Sequence, residues 1–311
     1  MIQYFKTVGG ELQTIQQVEK DCWINVVAPS TAEIELLSQK LLVDADLFID
    51  PLDADESPRV EQHKNCMLMV CRIPLHIENE DDLIYTTIPL GIIFKRDLIV
   101  TVCSKNTELI QTFIEQRVRQ FNTALRERMV LQLFLRASIQ YLRYLKAINN
   151  KADEIQLLLH KSTRNRELLQ LLSLEKSLVY FTTSLKGNEL MMMRLQKLNM
   201  MANLRETEKE LIEDVVIETK QAIEMANIYS NILGNMMGAH SSIISNNLNI
   251  TIRFLTSVTI ILSLPILVAS LYGMNVRLPF QDSDAAFWYV MMIAIGLSGF
   301  GVLYFRKKNL F

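Results

Sequence analysis

Two uncharged runs constrain this chain more than any other feature. Phe254–Leu271 holds eighteen residues without Asp, Glu, Lys or Arg, and Ala286–Phe305 holds twenty. A helix needs about 20 apolar residues to cross the ~30 Å hydrocarbon core of a bilayer. Each run therefore reads as a membrane-spanning helix, one over 254–271 and one over 286–305. The short stretch 272–285 joins them into a hairpin. Phe287, Trp288 and Tyr289 stand at one end of the second run and Tyr304 with Phe305 at the other, where amphipathic rings settle at headgroup level. Arg253 precedes the first run, and Arg306, Lys307 and Lys308 follow the second. The joining loop carries Arg277 against Asp282 and Asp284. The positive-inside rule then predicts both termini cytoplasmic and the loop outside, and the chain is expected to be an integral protein of the cell's inner membrane.

The rest of the chain narrows the function classes. Of its 311 residues, 50% are hydrophobic and 21% charged, with a formal net charge of −2. That balance offers no basic field for nucleic acid. No GxxxxGK[ST] loop is present to cradle a nucleotide. Cys22, Cys66, Cys71 and Cys103 have no CxxC spacing and belong to no His/Cys cluster suited to zinc. They stand in apolar, strand-like runs and read as small buried hydrophobes of a reducing compartment. His63, His76, His160 and His240 are dispersed and no nucleophile motif accompanies them, so no enzyme is predicted. The N-terminal "MIQYFKTVGGELQ" lacks the basic and apolar regions of a signal peptide, which fits a cytoplasmic N-terminal part.

Residues 1–104 read as an α/β domain. "CWINVVAP", "NCMLMVCRIPL", "LIYTTIPLGIIF" and "DLIVTVCS" are rich in β-branched residues and bounded by Pro and charges. "STAEIELLSQKLL" reads as a helix, with Ser30 or Thr31 as N-cap and Glu33 in its first turn. The acidic stretch Asp44–Glu61 carries seven acids against Arg59 alone. Over 105–203 the texture turns helical: Asn106–Met201 has no proline and a single glycine, Gly187. Leu131, Phe134, Leu135, Ser138, Leu142 and Leu145 recur at helical spacing, and "HKSTRNRE" separates two long antiparallel helices. Met191–Met193 read as adaptable packing rather than thioether ligands.

A third long helix starts near "ANLRETEKELIEDVV", with no proline from Glu206 until Pro265. If continuous into the first span it is about 100 Å long at 1.5 Å per residue. Its portion 204–253 is then a stalk that must pack on neighbours, and Met225, Ile228, Ile232, Met236, Ala239 and Ile243 form an apolar stripe along it. Inside the first span a polar stripe takes over: Asn249, Ile252, Thr256, Thr259, Ser263, Ile266 and Ser270 alternate spacings of three and four. That is one face of a helix in a left-handed bundle. Helix packing and pore lining both fit the stripe. A single hairpin encloses no aqueous path, so a water-lined stripe requires several copies in a ring.

Tyr272-Gly273-Met274-Asn275 follows the first span, and "FRKKNLF" closes the chain at 305–311, with its basic tail at 306–311. Together with the order of parts, these residues resemble the CorA family of magnesium transporters. The resemblance implies an α/β cytoplasmic domain, a long helical stalk and two C-terminal transmembrane helices, assembled as a homopentameric funnel. It implies that Gly273, Met274 and Asn275 form the outer selectivity site, where neutral side-chain carbonyls receive hydrated Mg²⁺. Such groups can bind the hydration shell of a cation that sheds water reluctantly. It further implies Asn249 at the inner end of the pore and Ile252 and Leu255 as a hydrophobic gate. Leu255 lies beside the polar stripe, which centres on Thr256 instead. Cytoplasmic Mg²⁺ bound between subunits is expected to close the pore. Ungapped counting places Asp214 at that regulatory site. Glu218 belongs to the same acidic run, Arg205–Glu224, and the partner carboxylate is sought in "ENEDD", at Glu78, Glu80, Asp81 or Asp82. The chain departs from the family pattern after the Gly-Met-Asn signature, where "VRLPFQDSDAAFW" replaces Met-Pro-Glu and an acidic loop.

The expected function is gated influx of divalent cations, chiefly Mg²⁺. Two alternatives stay open: a zinc, cobalt or nickel transporter of the same fold, and a membrane-anchored sensor or scaffold. Met274 counts against the ZntB zinc branch, which carries Val there. Neither span holds an Asp, Glu or His to relay protons, which counts against proton coupling.

Overall fold

The computed structural model describes residues 1–78, 83–159, 165–198, 205–276 and 284–308. They divide into two compact units, Met1–Asn235 and Met236–Phe311.

The first unit is built on one sheet. Its strands are β1 (Ile2–Val8), β2 (Glu11–Ile15), β3 (Cys22–Val27), β4 (Arg59–Gln62), β5 (Cys66–Glu78), β6 (Leu83–Lys95) and β7 (Leu98–Cys103). They run in the order β2-β1-β3-β7-β6-β5-β4. Only the β3–β7 pair is parallel. Gly9 and Gly10, at φ 61° and 92°, make the two-residue turn from β1 to β2, where positive φ favours glycine.

Successive side chains of a strand point to opposite faces, and both faces here are covered. Cys22, Ile24 and Val26 of β3 join a core with Ile34, Leu37 and Leu41 of α1 (Thr31–Leu41) and Leu47 and Phe48 of the short α2 (Asp46–Ile49). On the other face Trp23, Met69, Cys71, Leu90, Ile92 and Ile99 meet α3 (Glu108–Ile114), α4 (Arg126–Leu159) and α5 (Asn165–Gln196). Ser30 caps α1 in a capping box with Glu33, satisfying two amides that helix geometry leaves open. Trp23 Nε1 donates to Thr101 Oγ1 at 2.9 Å, and Thr101 Oγ1 donates to Asn25 Oδ1 at 3.0 Å, so the buried polar groups of β3 and β7 satisfy each other.

The acidic stretch 44–61 is largely structural. Arg59 pairs with Asp50 at 2.6 Å, with Glu61 at 2.7 Å and with Glu56. Pro51 lies on the sheet at Gly91, where a Cβ would come within 2.3 Å of its ring. Cys22, Cys71 and Cys103 are buried as expected, whereas Cys66 is only half-buried at the start of β5. Burial pushes the Cys71 thiol up to about 12. Met191 and Met192 pack in the core, while Met193 faces out.

The helix α6 runs unbroken from Glu206 to Tyr272, with Pro265 inside it, and α7 spans Ala286–Lys307. Within the first unit, Glu208, Val215, Thr219, Ala222, Ala226 and Leu233 are the α6 side chains that become buried. The apolar stripe read from the sequence is a different face. Ile228, Ile232 and Ile243 are about half exposed, so they do not pack on their own chain. On the buried face Thr219 of α6 shares a hydrogen bond with Ser138 of α4 at 2.8 Å. From Gly234 to Thr251 no residue is buried, and a Cβ at Gly234 or Gly238 would meet nothing within 4 Å.

Candidate functional site

In the second unit the two apolar helices pack along a narrow seam. Ser257 and Val268 of α6 and Ala294 and Gly301 of α7 are its buried residues. A methyl group at Gly301 would sit 3.3 Å from Leu264 Cδ1 and 3.4 Å from Ile261 Cγ1, so glycine sets how closely α7 approaches. At about 100° per residue, the line Ser257-Ile261-Leu264-Val268 is one face of α6.

The polar stripe lies on the other side. Asn249, Ile252, Thr256, Thr259, Ser263, Ile266 and Ser270 are all exposed, turned on the order of 150° from the seam. Leu255 is 65% exposed at the stripe's edge. The stripe therefore takes no part in packing the hairpin. Its hydroxyls are oriented by their own helix. Thr256 Oγ1 donates to Ile252 O, Thr259 Oγ1 to Leu255 O and Ser263 Oγ to Ile260 O, each at 2.8 Å. A hydroxyl has one proton and two lone pairs. With the proton committed to backbone, the remaining lone pairs face outward as acceptors.

The stripe ends where α6 ends. Gly273 N donates to Ala269 O at 2.9 Å, and Met274 N to Leu271 O at 3.4 Å, which tightens the last turn. Gly273 does not adopt the left-handed conformation of a usual glycine cap; among the described glycines only Gly9 and Gly10 have positive φ. A Cβ on Gly273 would instead lie 3.4 Å from Ala269 O and 3.6 Å from Ser270 O, beside the carbonyl rim of the helix end. Met274 and Asn275 are exposed just beyond it.

Asp214 is exposed and Glu218 half-buried near the start of α6. Not every acid of this run is free: Glu208 is buried and accepts from Arg205 N at 2.8 Å as an N-terminal cap, and Glu206 pairs with Lys209 at 3.1 Å. Among the described residues, no three His, Cys, Asp or Glu side chains come together in a way that could hold a metal. Glu80, Asp81 and Asp82 lie outside the described residues, as do Arg277 and Asp282. Glu78 closes β5 opposite Leu83. The residues named for the pore thus share one helix and its end, while the two parts named for the regulatory site are not brought together within the described residues. The seam residues Ser257 and Gly301 escaped the sequence reading. Their signal was a small residue at helical spacing with apolar ones, Ser257-Ile261-Leu264-Val268 on one helix and Ala294-Ser298-Gly301 on the other.

Residues 19–307 match the family model described as CorA-like Mg²⁺ transporter protein. The chain belongs to the CorA family. The cobalt/magnesium transport protein CorA of Methanocaldococcus jannaschii is 28% identical over 297 residues, covering 92% of this chain and 90% of that one. The complete structure of the CorA magnesium transporter from the same organism superposes with a TM-score of 0.85 at 25% identity, covering 99% of this chain and 98% of that one. The structure of that protein's soluble domain matches 76% of this chain and 95% of its own length, with a TM-score of 0.67 at 24% identity. The CorA architecture of soluble α/β part, long helix and two C-terminal apolar helices is therefore the architecture of this chain.

Proposed function

We propose that this protein carries divalent cations, chiefly Mg²⁺, across a membrane through a pore built from several copies, five by analogy with the family. One observation carries the reading. The polar stripe of α6 is uncovered by α7 and presents outward lone pairs, on a span whose exposed side chains elsewhere, such as Ile260, Leu262 and Leu267, are apolar. Exposed hydroxyls on a bilayer-spanning helix favour an aqueous path or a polar interface, and a ring of copies provides both.

The chemistry follows from the ion. Mg²⁺ dehydrates reluctantly, so a neutral lining that accepts hydrogen bonds from its water shell lets it pass without trapping it. Asn275, with Gly273 and Met274 around it, forms the outer ring that receives the hydrated ion. Thr256, Thr259 and Ser263 accept from its waters within the span. Ile252 and Leu255 form an apolar constriction that closes by excluding water, and Asn249 stands below it. Membrane potential drives influx: about 2.3 kcal/mol per unit charge per 100 mV, and roughly twice that for a divalent ion. Cytoplasmic Mg²⁺ relieves repulsion between Asp214 and Glu218 of one copy and the carboxylates of the next, among them Asp81 and Asp82, and holds the pore shut. Both termini are cytoplasmic, and the host membrane is the cell's inner membrane.

The deciding measurement is Mg²⁺ uptake into proteoliposomes by the wild type and by Asn275→Ala. Uptake should fall at least about tenfold, equivalent to roughly 1.4 kcal/mol of lost ion stabilisation. Equal uptake by both proteins would favour the sensor or scaffold reading. Repeating the assay with Co²⁺, Ni²⁺ and Zn²⁺ ranks the ions. For the regulatory site, Asp214→Ala should shift Mg²⁺-dependent protection from proteolysis to higher Mg²⁺; an unchanged midpoint would remove Asp214 from that role.

A further inference from the structure

The cations at the inner end of the hairpin are not spread evenly around it. Arg253 lies four residues before Ser257, whose Oγ donates to Arg253 O at 2.8 Å, so it continues the seam face of α6. Lys308 lies seven residues after Gly301 and three after the half-buried Phe305, so it continues the seam face of α7. Gly301 is level with Ile261 and Leu264. Counting 1.5 Å per residue from there puts Lys308 about 10 Å and Arg253 about 14 Å toward the same end. Both cations therefore lie toward the same end of the seam, about 4 Å apart in depth.

No anion of the described protein answers them. Arg253, Arg306, Lys307 and Lys308 are all exposed and take part in no ion pair among the described residues. The nearest acid before Arg253 is Glu224, and Asp284 precedes the opposite end of α7. Two like charges at nearby depths repel unless an anion stands between them. Tyr304, half exposed beside them, adds an aromatic with a polar tip at headgroup depth.

We propose that the inner end of the α6–α7 seam, between Arg253 and Lys308, binds the headgroup of an anionic phospholipid. The inference rests on the membrane-spanning reading above. The guanidinium of Arg253 suits a bidentate grip on a phosphate diester, and the ammonium of Lys308 supplies the second charge. Acyl chains then run along the exposed apolar flanks of α7, where Phe300 and Leu303 are among the most exposed side chains. A positive edge that serves topology alone has no such geometry: each of the four cations then counts equally.

The test is native mass spectrometry of the full chain in detergent, with phosphatidylglycerol and phosphatidylcholine at equal concentration. Phosphatidylglycerol should be retained at least about threefold over phosphatidylcholine. Arg253→Gln and Lys308→Gln should each abolish most of that preference. Arg306→Gln, turned about 150° from the face of Gly301 and Lys308, should keep it. Equal retention of the two lipids, or equal losses from all three substitutions, overturns the site. Displacement of phosphatidylglycerol by millimolar inorganic phosphate overturns the lipid assignment. Lys308→Gln lies past the last helical residue, so it tests the site even where Arg253→Gln fails to fold. Failure of the membrane reading looks different: the chain then stays in water without detergent.

Discussion

The two units of this protein solve the burial problem in opposite ways. In Met1–Asn235 both faces of the sheet are covered, and Trp23, Phe48, Phe113 and Tyr141 are sealed from solvent by their own chain. In Met236–Phe311 only a thin seam is buried, while Phe287, Trp288, Leu303 and Phe300 stand about two-thirds exposed. The first unit encloses its own core, although Leu157, Leu169 and Ile217 on its helices stay exposed. The second leaves most of its apolar side chains uncovered, and under the proposed function lipid and further copies cover them. The lesson is that the exposed residues of the second unit carry the functional information, because packing within the chain has not used them.

The widest break in this comparison is separation of the units. Residues 1–235 alone should be soluble and unfold cooperatively by circular dichroism, whereas 236–311 should precipitate without detergent; a soluble, folded 236–311 would undo the contrast. Next, Trp23→Ala should cost the first unit about 3–5 kcal/mol, from lost burial and the lost donor to Thr101 Oγ1, read by urea denaturation. Gly301→Leu should act on the second unit only. It overfills the seam and should cost about 1–3 kcal/mol of stability in detergent while leaving the isolated 1–235 unit untouched.

The smallest expected effect concerns pH. Hydrogen bonds from Arg143, at 2.7 and 2.5 Å, hold the Glu108 carboxyl below its ordinary range. A depressed folded value stabilises above the unfolded value and loses that gain as pH falls through the folded one. Both side chains are about half exposed, so solvent screening limits the pair to about 0.5 kcal/mol. Glu108→Gln should therefore melt slightly lower at pH 7, with the gap closing in strong acid and in high salt.

Much of this was legible in the sequence because it was written in long periodic runs. The hairpin, the strands from 22, 66, 83 and 98, and a helix cap at Ser30 or Thr31 follow from apolar length, β-branched content and helix-start residues; the structure puts the cap on Ser30 and carries β5 on to Glu78. β1, β2 and β4 were missed, since their exposed polar residues blur the alternation, although Gly9-Gly10 marked the turn between the first two. The parallel pairing of β3 with β7 joins residues more than seventy apart and has no local signal. The polar stripe was readable because hydroxyls interrupt an apolar run at heptad spacing. The apolar stripe from Met225 to Ile243 was read as a surface for neighbours, and Ile228, Ile232 and Ile243 are about half exposed on this chain; periodicity marks a face without saying whose surface covers it. The same limit applies to Asp214, whose proposed partners belong to another copy.

One length of α6 has a mechanical consequence. From Gly234 to Thr251 no residue of α6 is buried among the described residues, and a Cβ at Gly234 or Gly238 would meet nothing within 4 Å. This length contains two glycines, each about 1 kcal/mol worse than alanine in a helix, among serines and asparagines that add little rigidity. Such a rod resists stretching through its hydrogen-bond ladder but yields to sideways load. It is a compliant coupling, and its stiffness is set from outside, by whatever stands beside it.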